Sequence, residues 1–317
     1  MKTSINTMIL ISLCLLVCWN GQTQNTNQQV QANRNEKSIT MNDGTKLTYF
    51  VEGTGSPIVV VTEGELLANA ISKELKKNFK FIFINARMNV ADPGDINKIT
   101  FDVLIDDVEQ IRQALKLGKI SVFGHSVSGL IALEYARKYP QFTSHIIMNG
   151  TPPYSDDRLA PICKTYWETS ASAERKEMWI QNWNGVSRDS LDRLGTSEAG
   201  KLLYLLDGPQ CFYNYNFRAT SLLKDVYWNM SVWNQIFKKL MINYQVSSGR
   251  SIDTPVFLSL GRFDFFVPYM VWDDQKGKIP NLTCYIFEKS GHYSFFEEEE
   301  LYRNSLVAWF DKTKDKK

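Results

Sequence analysis

Three side chains of the kinds that cooperate in nucleophilic catalysis lie far apart along the sequence. Ser126 lies in FGHSVSG, Asp264 in GRFDFFVP and His292 in SGHYSFFEEE. A serine hydroxyl is a weak nucleophile at neutral pH and needs a base to take its proton as it attacks. Histidine suits that task because its ordinary pKa lies near neutrality, and a carboxylate orients the imidazole and stabilises its cation. These residue types therefore predict acyl transfer through Ser126, His292 and Asp264.

Each of these residues follows an apolar run that predicts a buried strand. Continuous β-branched and aromatic runs are typical of strands covered on both faces of a parallel sheet. The runs are ISVFG, VFLSLGRF and CYIFEKSG. Because the carboxyl ends of parallel strands lie at one edge of the sheet, we expect Ser126, Asp264 and His292 to meet there.

The sequence around Ser126 predicts a tight turn from a strand into a helix. Its small neighbours Gly124, Ser128 and Gly129 would let the two backbones approach closely. The N-terminus of the following helix would then favour developing negative charge, and the backbone N–H of Val127 is predicted to be an oxyanion donor. A glycine-flanked serine is also common in ordinary turns, so this interpretation depends on the distant acid and base.

Strand runs alternate with helical patterns over most of the chain. This alternation predicts an α/β fold with a mostly parallel, doubly wound sheet, behind an antiparallel hairpin that turns at Asn42-Asp43-Gly44. ELLANAISKELKKN is predicted as one helix, and Gly118 as the residue that ends the next one. The predicted core comprises residues 38–150 and 251–317.

Residues 151–250 interrupt the alternation, because they contain helical patterns but no strong strand run. We predict that they form an inserted helical lid over the site. Two interpretations of their aromatic residues stay open. Side chains such as those of CFYNYNF, residues 211–217, could line an apolar substrate pocket. Alternatively, the tryptophans of the insertion could form a small core of their own.

The N-terminus, residues 1–19, is predicted to be an export signal, because Lys2 precedes a short apolar run from Met8 to Trp19. Three alternatives stay open: a lipoprotein signal that leaves Cys18 as a lipidated N-terminus, ordinary cleavage within NGQTQ, and an uncleaved anchor. Residues 20–37 are polar and predict a flexible tether. The protein is therefore expected to be exported, as a periplasmic, membrane-anchored or secreted protein.

Charge and cysteine content limit the partners of the chain. The formal net charge is +2 and no long basic run precedes the C-terminal DKTKDKK, which argues against nucleic-acid binding. A membrane partner is expected only through a lipid on Cys18. Cys163, Cys211 and Cys284 have no metal-site spacing and are predicted to be buried free thiols, with a Cys163–Cys211 bridge as the alternative. No metal or cofactor is expected.

The three motifs resemble those of the prolyl aminopeptidase (proline iminopeptidase) group of α/β-hydrolases, over about Ser38 to Trp309. The resemblance implies the α/β-hydrolase fold, with Ser126 as nucleophile, Asp264 as acid, His292 as base and no cofactor. It also implies removal of an N-terminal residue, typically proline, from short peptides. Relatives with the same motifs cleave other amides or esters, so a carboxylesterase for small or medium acyl esters is the alternative.

The loop after PIVVV departs from that group. A His-Gly-Gly-Pro-Gly loop is usual there, whereas this chain has Thr62, Glu63, Gly64 and Glu65. The backbone N–H of Gly64 is our candidate for the second oxyanion donor. The altered loop also favours a further alternative, a non-catalytic binding protein on a hydrolase scaffold.

Two glutamates in this loop have two interpretations. Glu63 or Glu65 could bind the free amine of a peptide substrate, or both could be solvated residues that cap the next helix. The following loop reads NARMN and keeps only Arg87 of an expected Asp-x-Arg-Gly pattern. Arg87 is predicted to anchor its loop through a salt bridge.

Overall fold

A mostly parallel sheet forms the centre of the computed structural model, which describes residues 34–194, 196–237 and 241–313. Within these residues the sheet has eight strands in the order β1-β2-β4-β3-β5-β6-β7-β8. The strands are β1 Lys37–Thr40, β2 Lys46–Gly53, β3 Ser56–Val60, β4 Phe79–Asn85, β5 Ile120–His125, β6 Thr143–Asn149, β7 Val256–Gly261 and β8 Leu282–Phe287. Strand β2 pairs antiparallel with β1 and β4, and all other pairs are parallel. The predicted sheet and its N-terminal hairpin are confirmed.

Helices lie between the strands along the chain. They are α1 Gly64–Ala70, α2 Lys73–Asn78, α3 Phe101–Ala114, α4 Ser128–Lys138, α5 Leu159–Ser170, α6 Ala173–Trp183, α7 Arg188–Asp192, α8 Thr196–Leu206, α9 Gly208–Cys211, α10 Met230–Gln235, α11 Ser294–Glu297 and α12 Glu299–Thr313. Every residue of β5 and β7 is buried. This burial on both faces explains why these strands are continuous apolar runs in the sequence.

The stretch predicted as one helix forms two, α1 and α2. The chain is extended at Ile71, with φ −76° and ψ 126°, so the first helix ends there. The hydroxyl of Ser72 then accepts a hydrogen bond from the N–H of Leu75, at 3.1 Å, and caps a new helix. The prediction missed this break because apolar periodicity continues across it.

The prediction that Gly118 ends helix α3 is wrong. Lys116 takes the left-handed conformation instead, with φ 51°. The N–H of Leu117 donates to the carbonyl of Arg112, and the N–H of Lys116 donates to that of Gln113, which is the Schellman pattern. The earlier ending lets the side chain of Leu117 pack against the core.

The residues between β6 and β7 are mostly helical. Within their described part, residues outside the sheet form one isolated antiparallel bridge, between Tyr154 and Gln245. Trp167, Trp179 and Trp183 pack with Phe265 in a small separate cluster. The interpretation of a tryptophan core is therefore confirmed for these three side chains.

No helix in the described part of the chain has the length and apolar character to cross a membrane. The predicted export signal at residues 1–19, its Cys18, and residues 20–33 of the predicted tether lie outside the described residues. For residues 34–37 the prediction of a flexible tether is wrong, because Arg34 pairs with Glu65 and Lys37 begins β1. Cys163, Cys211 and Cys284 are free, and the first two are buried. The alternative of a Cys163–Cys211 bridge is therefore wrong.

Candidate active site

An acid and a base meet beyond the carboxyl ends of β7 and β8. Nδ1 of His292 lies 2.6 Å from Oδ2 of Asp264, which is fully buried. The other carboxylate oxygen, Oδ1, accepts the N–H groups of Phe266 at 2.9 Å and Val267 at 2.8 Å. These two bonds fix the carboxylate, which in turn orients the imidazole. Nε2 is thereby left as the nitrogen that can take a proton.

Ser126 lies at the sharp turn between β5 and α4. Its φ is +53°, a left-handed conformation that is rare for serine, and its N–H donates to the carbonyl of Asn149 at 2.7 Å. Such backbone strain is often found at functional sites. Ser126 and His292 line the same cavity, so the structure brings the predicted nucleophile, base and acid to one edge of the sheet.

The turn leaves no space for larger side chains. A Cβ on Gly124 would lie 2.3 Å from the carbonyl oxygen of Ser128, and a Cβ on Gly129 would lie 1.9 Å from Oγ1 of Thr151. Contacts that short do not occur without displacement of the neighbouring backbone or side chain. The predicted close approach of strand and helix at these glycines is confirmed.

His125, which the sequence analysis did not single out, directly precedes Ser126, and its ring centroid lies 4.6 Å from that of His292. Its Nε2 is 3.1 Å from the carbonyl oxygen of His292, and its ring centroid is 4.2 Å from that of Tyr293. Burial holds the pKa of His125 well below its usual value. The ring is therefore neutral, and Nε2 carries the proton that the carbonyl accepts. Its position directly before Ser126 is the signal that could have identified it.

A cavity of about 170 Å³ lies against Ser126 and His292. The apolar side chains in its wall include those of Val127, Leu203, Met230, Trp233, Phe237 and Phe266. Of the aromatic stretch at residues 211–217, only Cys211 reaches it. Since an apolar cavity of roughly 150 Å³ holds one benzene molecule, this one fits a single small apolar group.

Glu63 places a carboxyl group in the wall of this cavity. The residue has φ +56°, and its N–H donates to Oδ1 of Asn89 at 2.8 Å. Burial raises the pKa of Glu63 to about 7, against smaller opposing effects of the indole of Trp228 and of His292. The interpretation of a solvated capping residue is wrong, because the side chain is buried and makes no capping bond.

Glu65 lies outside the cavity wall. It is buried, with Oε2 3.1 Å from Nε of Arg34. Burial raises the pKa of Glu65 to about 7, opposed by the charge of Arg34. The interpretation of Glu65 as a solvated cap is therefore wrong. That Glu65 binds a substrate amine stays a prediction, which its place outside the cavity wall does not favour.

Two further polar groups in the cavity wall were not predicted. Oη of Tyr204 and Nε1 of Trp228 are buried and make no well-formed hydrogen bond among the described residues, although Trp228 lies beside Glu63 and Tyr204 beside Tyr293. Buried polar groups are usually paired, so these atoms, together with Glu63, form a polar end that a ligand could satisfy. The sequence carries no signal for them, because a helical pattern does not show which side chains reach the cavity.

The two predicted oxyanion donors differ in their positions. Val127 is the N-cap residue of α4 and lines the cavity. Gly64 is the first residue of α1 and is not among the described residues of the cavity wall. The neighbouring N–H groups are already bound, that of Glu63 to Asn89 and that of Glu65 to Asn85. Both oxyanion donors stay predictions.

Arg87 anchors its loop as predicted. Its guanidinium donates to both carboxylate oxygens of Asp107, at 2.7 and 2.9 Å, and to Oδ2 of Asp43 at 2.8 Å. Both Arg87 and Asp107 are buried. The predicted salt bridge is confirmed.

Comparison with known proteins agrees with this architecture. A sequence profile described as alpha/beta hydrolase fold matches residues 67–177. The structure of an esterase from Exiguobacterium antarcticum superposes with a TM-score of 0.62 at 18% identity, over 86% of this chain and 98% of the esterase. The protein has the α/β-hydrolase fold.

The chain also has relatives in sequence. An AB hydrolase superfamily protein, YclE of Bacillus subtilis, is 27% identical over 86% of this chain and 98% of the relative. A proline iminopeptidase of Saccharolobus solfataricus is 25% identical over 69% of this chain and 71% of the relative. The chain thus resembles the prolyl aminopeptidase group, as its motifs implied.

Proposed function

We propose that this α/β-hydrolase is a serine hydrolase that cleaves an amide or ester through an acyl-enzyme. The observation that carries the proposal is the buried Asp264–His292 hydrogen bond, next to the cavity that Ser126 lines. A bound and oriented imidazole beside a strained serine is the arrangement that nucleophilic acyl transfer needs.

In the proposed mechanism, Oγ of Ser126 attacks the substrate carbonyl carbon while Nε2 of His292 takes the hydroxyl proton. Asp264 stabilises the imidazolium that forms. The backbone N–H of Val127, together with that of Gly64, donates to the oxyanion. His292 then gives its proton to the leaving amine or alcohol, the carbonyl re-forms, and a water molecule repeats the sequence to release the acid and restore Ser126.

Labelling with a fluorophosphonate probe tests this proposal. The full chain should react covalently, and the Ser126→Ala variant should not. Ser170→Ala, which removes an exposed hydroxyl from the end of α5, is the matched control and should label normally. If the unaltered protein stays unlabelled while it is folded, the alternative of a non-catalytic binding protein is favoured.

For the substrate, we propose a short peptide whose N-terminal residue enters the cavity. Two observations support this choice: the cavity has the volume of one small side chain, and its polar end carries the carboxyl of Glu63. An ionised Glu63 would pair with the substrate's free ammonium group, with Oη of Tyr204 as a second acceptor. The helical region between β6 and β7 would act as the lid that encloses this residue.

The second candidate is a carboxylesterase, which the largely apolar cavity wall supports. Alanyl and propionyl p-nitroanilide separate the two, because these substrates differ only in the amine. An aminopeptidase should favour the alanyl compound in kcat/KM by at least about 10-fold, which corresponds to about 1.4 kcal/mol. The esterase would be established if kcat/KM were higher for the propionyl than for the alanyl compound, and higher still for propionyl esters.

We also propose that the chain is exported and that Cys18 carries the lipid. Labelling of cells with a clickable palmitate analogue tests this. The label should disappear in Cys18→Ser and persist in Cys14→Ser, the matched control. An unlabelled protein in the culture medium would instead favour ordinary signal cleavage.

A further inference from the structure

A short segment of the helical region crosses both the acid loop and the histidine loop. We call residues Gly208 to Tyr213 the strap; they comprise α9 and the two residues after it. The carbonyl of Cys211 accepts the N–H of His292 at 2.6 Å. The carbonyl of Gln210 accepts the N–H of Phe265, the residue after Asp264, at 3.1 Å. The strap backbone is therefore bonded to the base itself and to the neighbour of the acid.

Arg175 of helix α6 holds the strap from the other side. Its guanidinium donates to the carbonyls of Pro209 at 2.6 Å, Phe212 at 2.7 Å and Tyr213 at 2.6 Å. Arg175 is only 4% exposed. Its three hydrogen-bonded acceptors all belong to the strap. The planar guanidinium supplies several donors in a fixed geometry, which a lysine ammonium does not.

Glu297 joins the strap to the histidine loop. Its Oε1 accepts the N–H of Tyr213 and its Oε2 accepts the N–H of Gly291, both at 2.7 Å. The next residue, Glu298, accepts from the N–H of Lys289 and the hydroxyl of Ser290. One carboxyl group thus connects the strap to the residue directly before His292.

The packing between strap and loop leaves little freedom. A Cβ on Gly291 would lie 2.1 Å from the carbonyl oxygen of Cys211, and a Cβ on Gly261 would lie 1.9 Å from that of Gly291. A shift of the strap therefore has to be transmitted to Gly291 and hence to His292.

We propose that Arg175 and Glu297 are positioning residues that, through the strap, fix His292 relative to Asp264 and Ser126. This inference rests on the proposed serine hydrolase function. The helical region would then do more than enclose the substrate, because part of it determines where the base lies. Loss of either residue should lower reactivity at Ser126 without a matching loss of substrate affinity.

The test uses the full chain and the rate constant of fluorophosphonate labelling. Glu297→Gln replaces one of two accepting oxygens with an amide nitrogen, and Arg175→Lys removes the planar donor set. Each should slow labelling on the order of 10- to 100-fold, with kcat lowered and KM little changed. Glu300→Gln and Glu177→Gln, at exposed positions one turn or less away, are the matched controls and should react normally.

The double variant adds a sharper criterion. Because both residues act through one segment, Arg175→Lys combined with Glu297→Gln should be little slower than the slower single variant. Single variants that fold and label at the unaltered rate would overturn the proposal. Variants that raise KM and leave kcat unchanged would also overturn it. So would a double variant whose rate reduction equals the product of the two single reductions.

A proton NMR measurement tests the inference without any need for labelling at Ser126. The Nδ1 proton of His292, bonded to Asp264, should give a low-field signal that Asp264→Asn abolishes. Glu297→Gln should shift or broaden this signal, and Glu300→Gln should leave it unchanged. An unchanged signal in folded Glu297→Gln would contradict the inference. If the serine of the unaltered protein does not label, only the proposed function fails.

Discussion

Asp264 and His292 share one hydrogen bond of 2.6 Å, while the second carboxylate oxygen of Asp264 is bound by two backbone N–H groups. The carboxylate is therefore held from both sides and cannot turn. This relationship makes the role of Asp264 sharply testable, since a substitution that preserves its shape changes only which atoms donate and accept.

We expect Asp264→Asn to fold and to lose activity on the order of 10³- to 10⁴-fold in kcat. The amide oxygen can still accept the N–H groups of Phe266 and Val267, but the amide nitrogen then faces Nδ1 and favours the wrong tautomer of His292. Labelling rates and kcat measure the effect. An Asn variant with more than a tenth of the normal rate would contradict the assignment. Asp253→Asn, at an exposed position, is the control.

Glu63 should make the KM for amino-acyl substrates depend on pH near neutrality. Burial raises its pKa to about 7, so the carboxylate that would bind an ammonium group is lost as the pH falls through 7. KM for alanyl p-nitroanilide should therefore rise roughly 4- to 5-fold between pH 8 and pH 6, because the rising ammonium fraction of the substrate offsets part of the loss of carboxylate. KM for the propionyl analogue should not change in this way. In Glu63→Gln, this difference in pH dependence between the two substrates should vanish. A KM that Glu63→Gln leaves unchanged would end the amine-binding proposal.

Glu63 should also affect stability with a definite sign. Because its folded pKa is raised from 4.5 to about 7, ionisation of the buried carboxyl opposes folding. Its contribution is fully present below pH 4.5 and is lost as the pH rises through 7. Relative to the unaltered protein, Glu63→Gln should gain roughly 2 to 3 kcal/mol in unfolding free energy between pH 4.5 and pH 8. Urea unfolding at both pH values measures this difference, and a gain at the lower pH alone would contradict it.

Gly129→Ala should destabilise the fold by about 1 to 3 kcal/mol. The new methyl group would lie 1.9 Å from Oγ1 of Thr151, so either the helix or the threonine must move. Thermal unfolding measures the loss. Gly118→Ala, where the added carbon has no neighbour within 4 Å, should be nearly neutral. Combining Gly129→Ala with Thr151→Ala should recover part of the loss, and no recovery would show that the strain lies elsewhere.

Much of the sheet could be predicted from the sequence, because buried parallel strands consist of continuous apolar residues. The run FKFIFIN coincides with β4, Phe79–Asn85, and KISVFG differs from β5 by one residue at each end. Arg87 was likewise predictable, since a buried arginine requires carboxylate partners. The break between α1 and α2 was not predictable from the apolar pattern, because the hydrogen bond to the Ser72 hydroxyl determines where α2 begins.

The interior of the candidate site was less predictable. Ser126, Asp264 and His292 each follow a strand, so the sheet itself brings them together. Glu63 was harder, because a glutamate before a helix usually faces water, whereas here its left-handed backbone turns the side chain into the cavity. The positions of Tyr204, Trp228 and Arg175 depend on tertiary contacts, which no local pattern encodes.

The position of the helical region within the chain has a consequence for biosynthesis. Strands β6 and β7 are neighbours, with Ile146 paired to Val256, although more than a hundred residues separate them in sequence. Ser126 leaves the ribosome long before Asp264 and His292, so a nascent or truncated chain carries the serine without its acid and base. Such distant pairing slows folding. Under the proposed mechanism, the triad is therefore complete only after β7, β8 and the histidine loop have been made.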